Sequence, residues 1–300
     1  MEMEGDQMAG AFGAMDQSDM QSMGGDQVFE AAGNMGAADF QSMGGDSALA
    51  MFDTMGQESA VGLEGDQLAG MFGAMDGDQL HSIGGDQLFD TVGGMTQDNF
   101  ASLDSDSAFG MFDAMGSENA MALEGDQMAG MFGAMDQEQI GGLHGDTVFD
   151  AFENIGTEGM MSMDGGSMAG MFDAMGPEHF GEIGGTEMFD MVGNMSGDNF
   201  SAMGSDSAFG MFDTMGTDMV MGLEGDQMAG MFDAMGPEHF GEIGGDQMFD
   251  MAGNMSGDNF AAMGSDSAFG MFDTMGTDMV MGLEGDHLGG MFDAMVPDQI

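Results

Sequence analysis

The sequence predicts an all-α solenoid of about fifteen two-helix repeats that share one 20-residue period. Three observations support this prediction. The period starts at Gly5 and continues, without a slip, to the unit that begins at residue 285. Within each unit, apolar residues recur at spacings of three and four, which is typical of one face of an α-helix. Gly, Pro, Ser or Thr beside an acid interrupts this stripe twice per unit, where one helix would end and another begin.

The first element of each unit is the longer helix. In the unit 225–244, its apolar stripe is formed by Met228, Met231 and Met235, which predicts a helix of about ten residues. Asp226 stands just ahead of the stripe. There a carboxylate can accept hydrogen bonds from free backbone N–H groups and favour the positive end of the helix dipole. We therefore expect the aspartates at this position to cap the longer helices.

The second element is a shorter helix of one to two turns, which carries Phe240 and Ile243 in the same unit. Gly236 fits the residue that follows a helix C-terminus, and Pro237 fits the first residue of the next helix. Glycines inside the longer helix, such as Gly230, lower its intrinsic helix propensity. We therefore expect the helices to be stabilised by the stacking of units.

A 60-residue order lies over the 20-residue period, because the units alternate among three kinds. They are typified by 225–244, 245–264 and 265–284. The unit 145–164 departs from this order, since it begins like the second kind and ends like the third. The 20-residue period survives there, which identifies the 20-residue unit as the packing module.

The period predicts one repeat array over residues 1–300, with units starting at 5, 25, 45 and so on, one period apart, to 285. Neither end carries a unit with a polar outer face, so the array is expected to be uncapped at both ends. Two alternatives remain open. A β-solenoid also has a constant period and Gly-rich corners, and low hydrophobicity with high net charge is typical of a disordered acidic repeat.

The composition is strongly acidic, with 55 Asp and Glu and no Lys or Arg. Nucleic acid and anionic membrane surfaces are excluded as direct partners, because binding them requires cationic groups. The expected partners are cations and basic surfaces. No apolar run is long enough to span a membrane, and the first residues lack the positive region of a signal peptide. Localisation stays unknown from these observations, with an extracellular or cell-surface location favoured.

Calcium is the strongest candidate ligand, because the chain offers carboxylates and no cysteine. Stacked units would place equivalent acids in a column, and weak metal binding is predicted there. No cofactor is required, and no catalytic site is expected, since similar acids occur in every unit whereas an active site is usually singular. The five histidines are expected to be exposed polar residues. The predicted metal-binding column consists of Asp206, Asp226, Asp246, Asp266 and Asp286.

The string MFDAMGPEHFGEIGGDQMFDM, at 231–251, resembles the Met-, Gly- and Asp-rich helical repeats of very large bacterial surface or secreted proteins. Short helices in those repeats start at PE, DQ or SD. The two-helix unit is also similar to the superhelical repeats at the N-terminus of magnesium transporters, but it lacks their Leu- and Glu-rich helices. The first resemblance implies a spacer or adhesive role outside the cell.

These observations together predict a non-enzymatic structural or interaction module with weak, multivalent cation binding. End-to-end self-association is a further expectation, because the ends are uncapped. A dedicated calcium- or metal-sequestering acidic protein is the alternative function. An enzyme is disfavoured, since no Ser or Thr stands in a recurring pattern with a His and a carboxylate.

Overall fold

The computed structural model of the chain describes residues 4–296 and residue 299. These residues form α-helices joined by short turns and contain no strand. The chain is therefore all-α, as predicted, and the β-solenoid alternative is wrong. Longer helices of 8 to 11 residues alternate with shorter ones of 4 to 7 residues, as the first two helices and the fifth and sixth illustrate, except that three 16-residue helices join a longer and a shorter one.

The contacts divide the chain into two compact units. The first unit comprises the residues up to Gln139 together with 150–163, and the second comprises 140–149 together with the residues from Asp164 onward. The single array over residues 1–300 stays a prediction. The first unit contains the helices α1 Gly5–Phe12, α2 Gln17–Met23, α3 Gly25–Ala32, α4 Ala37–Met43, α5 Gly45–Met55, α6 Gln57–Ala60, α7 Gly65–Phe72, α8 Gly77–Ile83, α9 Gly85–Val92, α10 Gln97–Ala101, α11 Ser105–Ala120 and α12 Gly125–Ala134.

Two helices, α13 Gln137–Gly141 and α14 Gly145–Met160, have residues in both units. The second unit contains the helices α15 Gly165–Met175, α16 Pro177–Ile183, α17 Gly185–Val192, α18 Gly197–Ser201, α19 Ser205–Met215, α20 Thr217–Val220, α21 Gly225–Met235, α22 Pro237–Ile243, α23 Gly245–Ala252, α24 Gly257–Ala262, α25 Ser265–Val280 and α26 Gly285–Ala294. Each of α11, α14 and α25 contains one glycine with non-helical dihedral angles, where a longer helix meets a shorter one.

The predicted punctuation between the two helices of a unit is confirmed at Gly236. This glycine ends α21 with φ +68° and ψ 168°, and Pro237 begins α22. That combination of angles is open essentially to glycine alone, because a Cβ would clash with the backbone. The prediction that Asp226 caps the longer helix is wrong. Helix α21 begins at Gly225 with Glu224 at its N-cap, so Asp226 lies inside the first turn.

Within each compact unit, a helix packs on the third helix further along the chain. In the first unit α1 contacts α4, α4 contacts α7 and α8 contacts α11, and in the second unit α18 contacts α21 and α21 contacts α24. Polar side chains on helices stacked in this way are 33 positions apart, as in the pair Asp46 and Gln79. The helices paired by this offset lie about one and a half repeats apart in the sequence, so that a short helix meets a long one. Long helices of successive repeats also contact each other, as α19 and α21 do.

Glycine lets these helices approach closely. A Cβ added at Gly230 in α21 would overlap the backbone of Gly197, the first residue of α18. A Cβ at Gly270 in α25 would lie 2.6 Å from the Cβ of Pro237 in α22. Both pairs have the same spacing along the chain as Asp46 and Gln79. The glycines that weaken the isolated helices are therefore required at the contacts between them.

The core consists mainly of Met and Phe at the predicted apolar positions. In the unit 225–244, Met231, Phe232 and Phe240 are fully buried. Buried glutamines add a polar link between helices. The Gln227 side chain, 6% exposed, donates from Nε2 to the carbonyl oxygen of Met195 at 2.6 Å, and its Oε1 accepts from the Glu224 backbone N–H at 3.0 Å. The corresponding bonds in the first unit are made by Gln67 and Gln127.

Candidate functional site

The five predicted metal ligands occupy equivalent places on five different helices. Each is the second residue of its helix and each is exposed. The described residues contain no group of three or more His, Asp or Glu side chains that could hold one metal ion, so these aspartates do not come together as a single coordination site. Their binding of cations stays a prediction. The helices α19, α21, α23, α25 and α26 carry, in this order, Asp206, Asp226, Asp246, Asp266 and Asp286.

Several of these positions are engaged with a polar side chain 33 positions later. Asp46 Oδ1 accepts from Gln79 Nε2 at 2.7 Å, and Asp106 Oδ1 accepts from Gln139 Nε2 at 3.1 Å. Asp266 Oδ1 likewise accepts from the side chain of Gln299 at 3.0 Å. In this way the carboxylate at the start of one helix receives an amide donor from the segment that packs on it.

Histidine takes the place of glutamine in two of these pairs. His179 Nε2 lies 3.4 Å from Asp146 Oδ1, and its ring stacks on Phe149 with centroids 4.5 Å apart. His239 repeats this arrangement with Asp206 at 3.5 Å and with the ring of Phe209. The two histidine side chains are only 15% and 16% exposed.

The prediction that the histidines are merely exposed polar residues is therefore wrong for this pair. Comparing residues at equivalent positions of the 20-residue units does not reveal this role, because the aspartate partner of each histidine lies 33 positions earlier in the chain. A search for polar residues separated by 33 positions would have found them. His81 differs from the pair, since its side chain is 50% exposed and its Nε2 lies 3.2 Å from Asp113 Oδ2. In α26, the buried Nδ1 atom of His287 has no hydrogen-bond partner among the described residues.

Carboxylates gather in a small depression of the second unit. Its volume is about 180 Å³, and Asp198, Asp226 and Asp233 line it together with Asn259 and the backbone of Gly230. One of these carboxylates is already occupied, because Asp233 Oδ1 accepts from the Gly264 backbone N–H at 2.8 Å. The depression therefore concentrates negative charge without arranging three free carboxylates around one point.

Two carboxyl groups of the first unit have shifted pKa values. Burial raises the pKa of Asp53, because the charged form loses water. The hydroxyl of Ser18, followed by the Asp19 backbone N–H, lowers the pKa of Asp16 through hydrogen bonds to the charged form. Both groups serve structure in this fold: Asp16 is the N-cap of α2, and Asp53 Oδ2 accepts from Gln17 Nε2 at 3.4 Å.

No protein-family model matches the sequence, and no curated protein is significantly similar to it. Over the part of the chain that the structure describes, none of the helices is both long enough and apolar enough to cross a membrane. The resemblance to repeats of bacterial surface proteins therefore stays a prediction.

Proposed function

We propose that the chain is a helical solenoid that serves as a non-enzymatic structural or interaction module and that its acidic surface binds cations and basic partners weakly at many places. The observation that carries this proposal is that, within each compact unit, helices recurrently pack on the third helix further along and on the long helix of the next repeat. Such stacking repeats without a geometric limit and presents the same polar faces in every turn.

The solenoid makes a sharp prediction about deletions, because the stacking offset is an odd number of helices. Removal of residues 225–284 takes out α21 to α25, the last of which is a longer and a shorter helix joined at Gly276, and restores the same order of unit kinds, since 165–224 and 225–284 differ at only six positions. Removal of residues 245–254 takes out about one long helix and would put long helices where the three-helix offset now places short ones.

We expect the 60-residue deletion to keep the helical circular dichroism signal per residue and a cooperative melt. The ten-residue deletion should lose both in the second unit. We expect the 20-residue deletion of 245–264 to have an intermediate effect. It keeps the long helices against short ones, but it changes which of the three kinds of repeat unit contact each other. Equal tolerance of all three deletions would contradict the solenoid.

The cation-binding part of the proposal follows from charge. Two carboxylates about 10 Å apart repel by roughly 0.4 kcal/mol in water before screening, and no basic side chain offsets this repulsion. Summed over 55 acidic residues, the repulsion is comparable with the stability of a folded domain. Divalent ions reduce it at lower concentration than sodium, because each neutralises two charges.

Melting curves in chelator, in sodium chloride and in calcium chloride at matched ionic strength test this part. We expect the lowest melting temperature in chelator at low salt and the highest in calcium. Coincident curves in calcium and sodium would leave screening as the whole effect. A melt that chelator at low salt does not lower would refute the charge argument.

A calcium titration distinguishes the module from the alternative, a dedicated metal-sequestering protein. The double variant Asp198→Asn/Asp226→Asn removes two carboxylates from the depression of the second unit. Weak binding at many places predicts a loss of a few per cent of the bound calcium, in proportion to the charges removed. A single strong site there predicts loss of the tight phase. A matched pair of exposed acids of the first unit, Asp6→Asn/Asp66→Asn, serves as the control.

A spacer or adhesive role outside the cell is the biological setting that the resemblance to bacterial surface repeats favours. A peptide of Lys residues and a scrambled neutral peptide of equal length test the preference for basic partners. We expect the basic peptide alone to bind, with an affinity that falls steeply between low and physiological salt.

A further inference from the structure

The second unit has a groove between the last turn of α17 and the turn that precedes α21. Its volume is about 530 Å³, and its lining combines apolar side chains with carboxylates. We call it the Phe189 groove and define it by Phe189, Asp190, Leu223, Glu224 and Asp226. A groove that joins an aromatic ring to acids is suited to a long side chain with a cationic end.

The aromatic ring of the groove is partly accessible. Phe189 is half-buried, and it makes no contact with another ring among the described residues. By contrast, Phe149 and Phe209, at the same position of other repeats, are stacked on histidines with centroids 4.5 Å apart. A Cβ added at Gly222 would lie 3.2 Å from Phe189 Cζ, so one edge of the ring lies against a glycine. Part of the ring is therefore open to a ligand in the groove.

The carboxylates of the groove are not neutralised by the protein. Asp190, Glu224 and Asp226 are exposed, the chain has no Lys or Arg, and no histidine lines the groove. Three negative charges beside an apolar surface favour a cation that has an apolar part, because the apolar part can contact the ring while the charge stays in water. A metal ion is the weaker fit, since the apolar lining offers it no oxygen ligand.

The elements of this groove recur in other repeats. A Cβ added at Gly62 would lie 3.2 Å from Phe29 Cζ, and one at Gly282 would lie 3.4 Å from Phe249 Cζ. In each case an acid follows the Phe directly, and the string GLEGD begins at the glycine, as it does at Gly222. The first unit thus carries one copy with this glycine contact, and the second unit carries two.

We propose that the Phe189 groove and its two copies bind arginine side chains of a basic protein segment. This inference rests on the proposed binding of basic partners and names the residue that they use. Arginine fits better than lysine, because its planar guanidinium stacks on an aromatic ring and donates two parallel hydrogen bonds to one carboxylate. The protein contains an internal example of such recognition. The planar His239 ring stacks on Phe209, while its Nε2 lies 3.5 Å from Asp206 Oδ1.

Fluorescence anisotropy with three short peptides tests the proposal on the full chain at physiological salt. The peptides are tetra-arginine, tetra-lysine and tetra-citrulline, each carrying the same neutral fluorophore. Citrulline has the shape of arginine without its charge. We expect the arginine peptide to bind about three- to tenfold more tightly than the lysine peptide, and the citrulline peptide not to bind.

The triple variant Phe29→Leu/Phe189→Leu/Phe249→Leu removes the three rings and keeps apolar side chains in their places. We expect it to lower the affinity for the arginine peptide to that for the lysine peptide, because leucine has no π face. The affinity for the lysine peptide should change by less than about twofold, since its charge is attracted by the same carboxylates.

A matched triple variant exists at the same position of the third kind of repeat unit. Phe109→Leu/Phe209→Leu/Phe269→Leu also changes one Phe of the first compact unit and two of the second, and none of these residues lines the Phe189 groove. It should keep the preference for arginine.

A second pair of variants changes charge without touching the core. Asp190→Asn/Asp250→Asn removes the acid that follows the Phe in two grooves, and Glu182→Gln/Glu242→Gln removes two other exposed acids of the second unit. We expect the first variant to weaken binding of the arginine peptide about threefold more than the second. This comparison decides the matter if circular dichroism shows that a leucine variant does not fold.

The outcomes separate this proposal from the proposed function. Failure of both basic peptides to bind would overturn the arginine grooves together with the binding of basic partners. Equal affinities for the arginine and lysine peptides would overturn the grooves alone. Equal effects of the two folded leucine variants, or of the two acid variants, would also overturn the grooves, because binding would then depend on net charge and not on these residues.

Discussion

The segments 65–84 and 225–244 are the same kind of repeat unit, one in each compact unit, yet they separate their two helices by different means. In 65–84 the longer helix α7 ends at Phe72, and Asp76 caps α8 by accepting from the Gln79 backbone N–H at 2.9 Å. In 225–244 the longer helix α21 continues to Met235, and Gly236 with Pro237 makes the turn.

Only a few residues cause this difference. Gly73 of the first segment is Asp233 in the second, and Asp233 accepts a hydrogen bond from the Gly264 backbone N–H. Asp76 is replaced by Gly236, whose positive φ no side chain tolerates well. The comparison teaches that the stack accepts breaks of different length between its helices: residues 73–76 with a capping carboxylate in one segment, and Gly236 alone in the other.

The largest loss of stability is expected at the equivalent glycines of the two segments, Gly70 and Gly230. Gly230→Ala and Gly70→Ala would each drive a methyl group into the backbone of a stacked short helix, at Gly197 and Ala37 respectively. We expect a loss of about 2 to 3 kcal/mol in the free energy of unfolding for each, measured in urea. Gly241→Ala is the control, since a Cβ there meets no atom within 4 Å, and it should stabilise α22 by up to about 1 kcal/mol. A neutral Gly230→Ala would show that the two helices do not touch.

The second effect concerns the buried glutamine that both segments share. Gln227→Leu and Gln67→Leu would leave the carbonyl oxygens of Met195 and Met35 without their donor. We expect each to cost about 2 kcal/mol, because a buried polar group is left unsatisfied. Gln247→Leu, at the same position of an exposed helix face, should change stability by less than about 0.5 kcal/mol. Equal costs at Gln227 and Gln247 would contradict the role of burial.

The third effect separates the two segments. Exchanging the break residues gives Asp76→Gly, which should cost a few tenths of a kcal/mol because glycine is an acceptable N-cap. The reverse exchange, Gly236→Asp, should cost about 1 to 3 kcal/mol, because it places a side chain at φ +68° and ψ 168°. Thermal unfolding of both variants measures the asymmetry. Equal costs would mean that the backbone at residue 236 relaxes to an ordinary cap.

The smallest effect sharpens the comparison at the position of Gly73 and Asp233, which Asp53 occupies in the unit before. Burial raises the pKa of Asp53 above its ordinary value of 3.8, so the folded state holds this proton more tightly than the unfolded chain. Asp53→Asn should therefore stabilise the protein at pH 7, by less than about 0.5 kcal/mol, and the gain should vanish as the pH falls below 3.8.

Asp16→Asn should change stability in the opposite direction: we expect it to destabilise the protein at pH 7. Hydrogen bonds lower the pKa of Asp16, so its contribution to stability is present above pH 3.8 and is lost as the pH falls through the lowered value. Urea unfolding between pH 3 and pH 7 measures both variants. Parallel pH profiles of the two variants would contradict the assignment of burial to one and hydrogen bonding to the other.

The helices of this protein could be predicted from the sequence, because their apolar stripes and their Gly and Pro breaks act over a few residues. Pro237 at the first position of α22 and the buried Met231 are examples. The partners of the helices could not be predicted from the 20-residue unit alone. The expected column of Asp206 to Asp286 considered only the stacking of successive units, whereas helices also pack on the third one along, and whether these aspartates act together on a cation stays a prediction.

The sequence by itself determined the helical class, the breaks and the Met-rich apolar faces, since these depend on local backbone preferences and on spacing along one helix. The tertiary structure decided the 33-residue pairing, which brings Gly230 to Gly197, Gln79 to Asp46 and His239 to Asp206. Which helices meet depends on the angle at each turn, and small changes of those angles add up over three helices. The packing of the helices determines these angles together, and it thereby brings an acid of one repeat next to its polar partner in another.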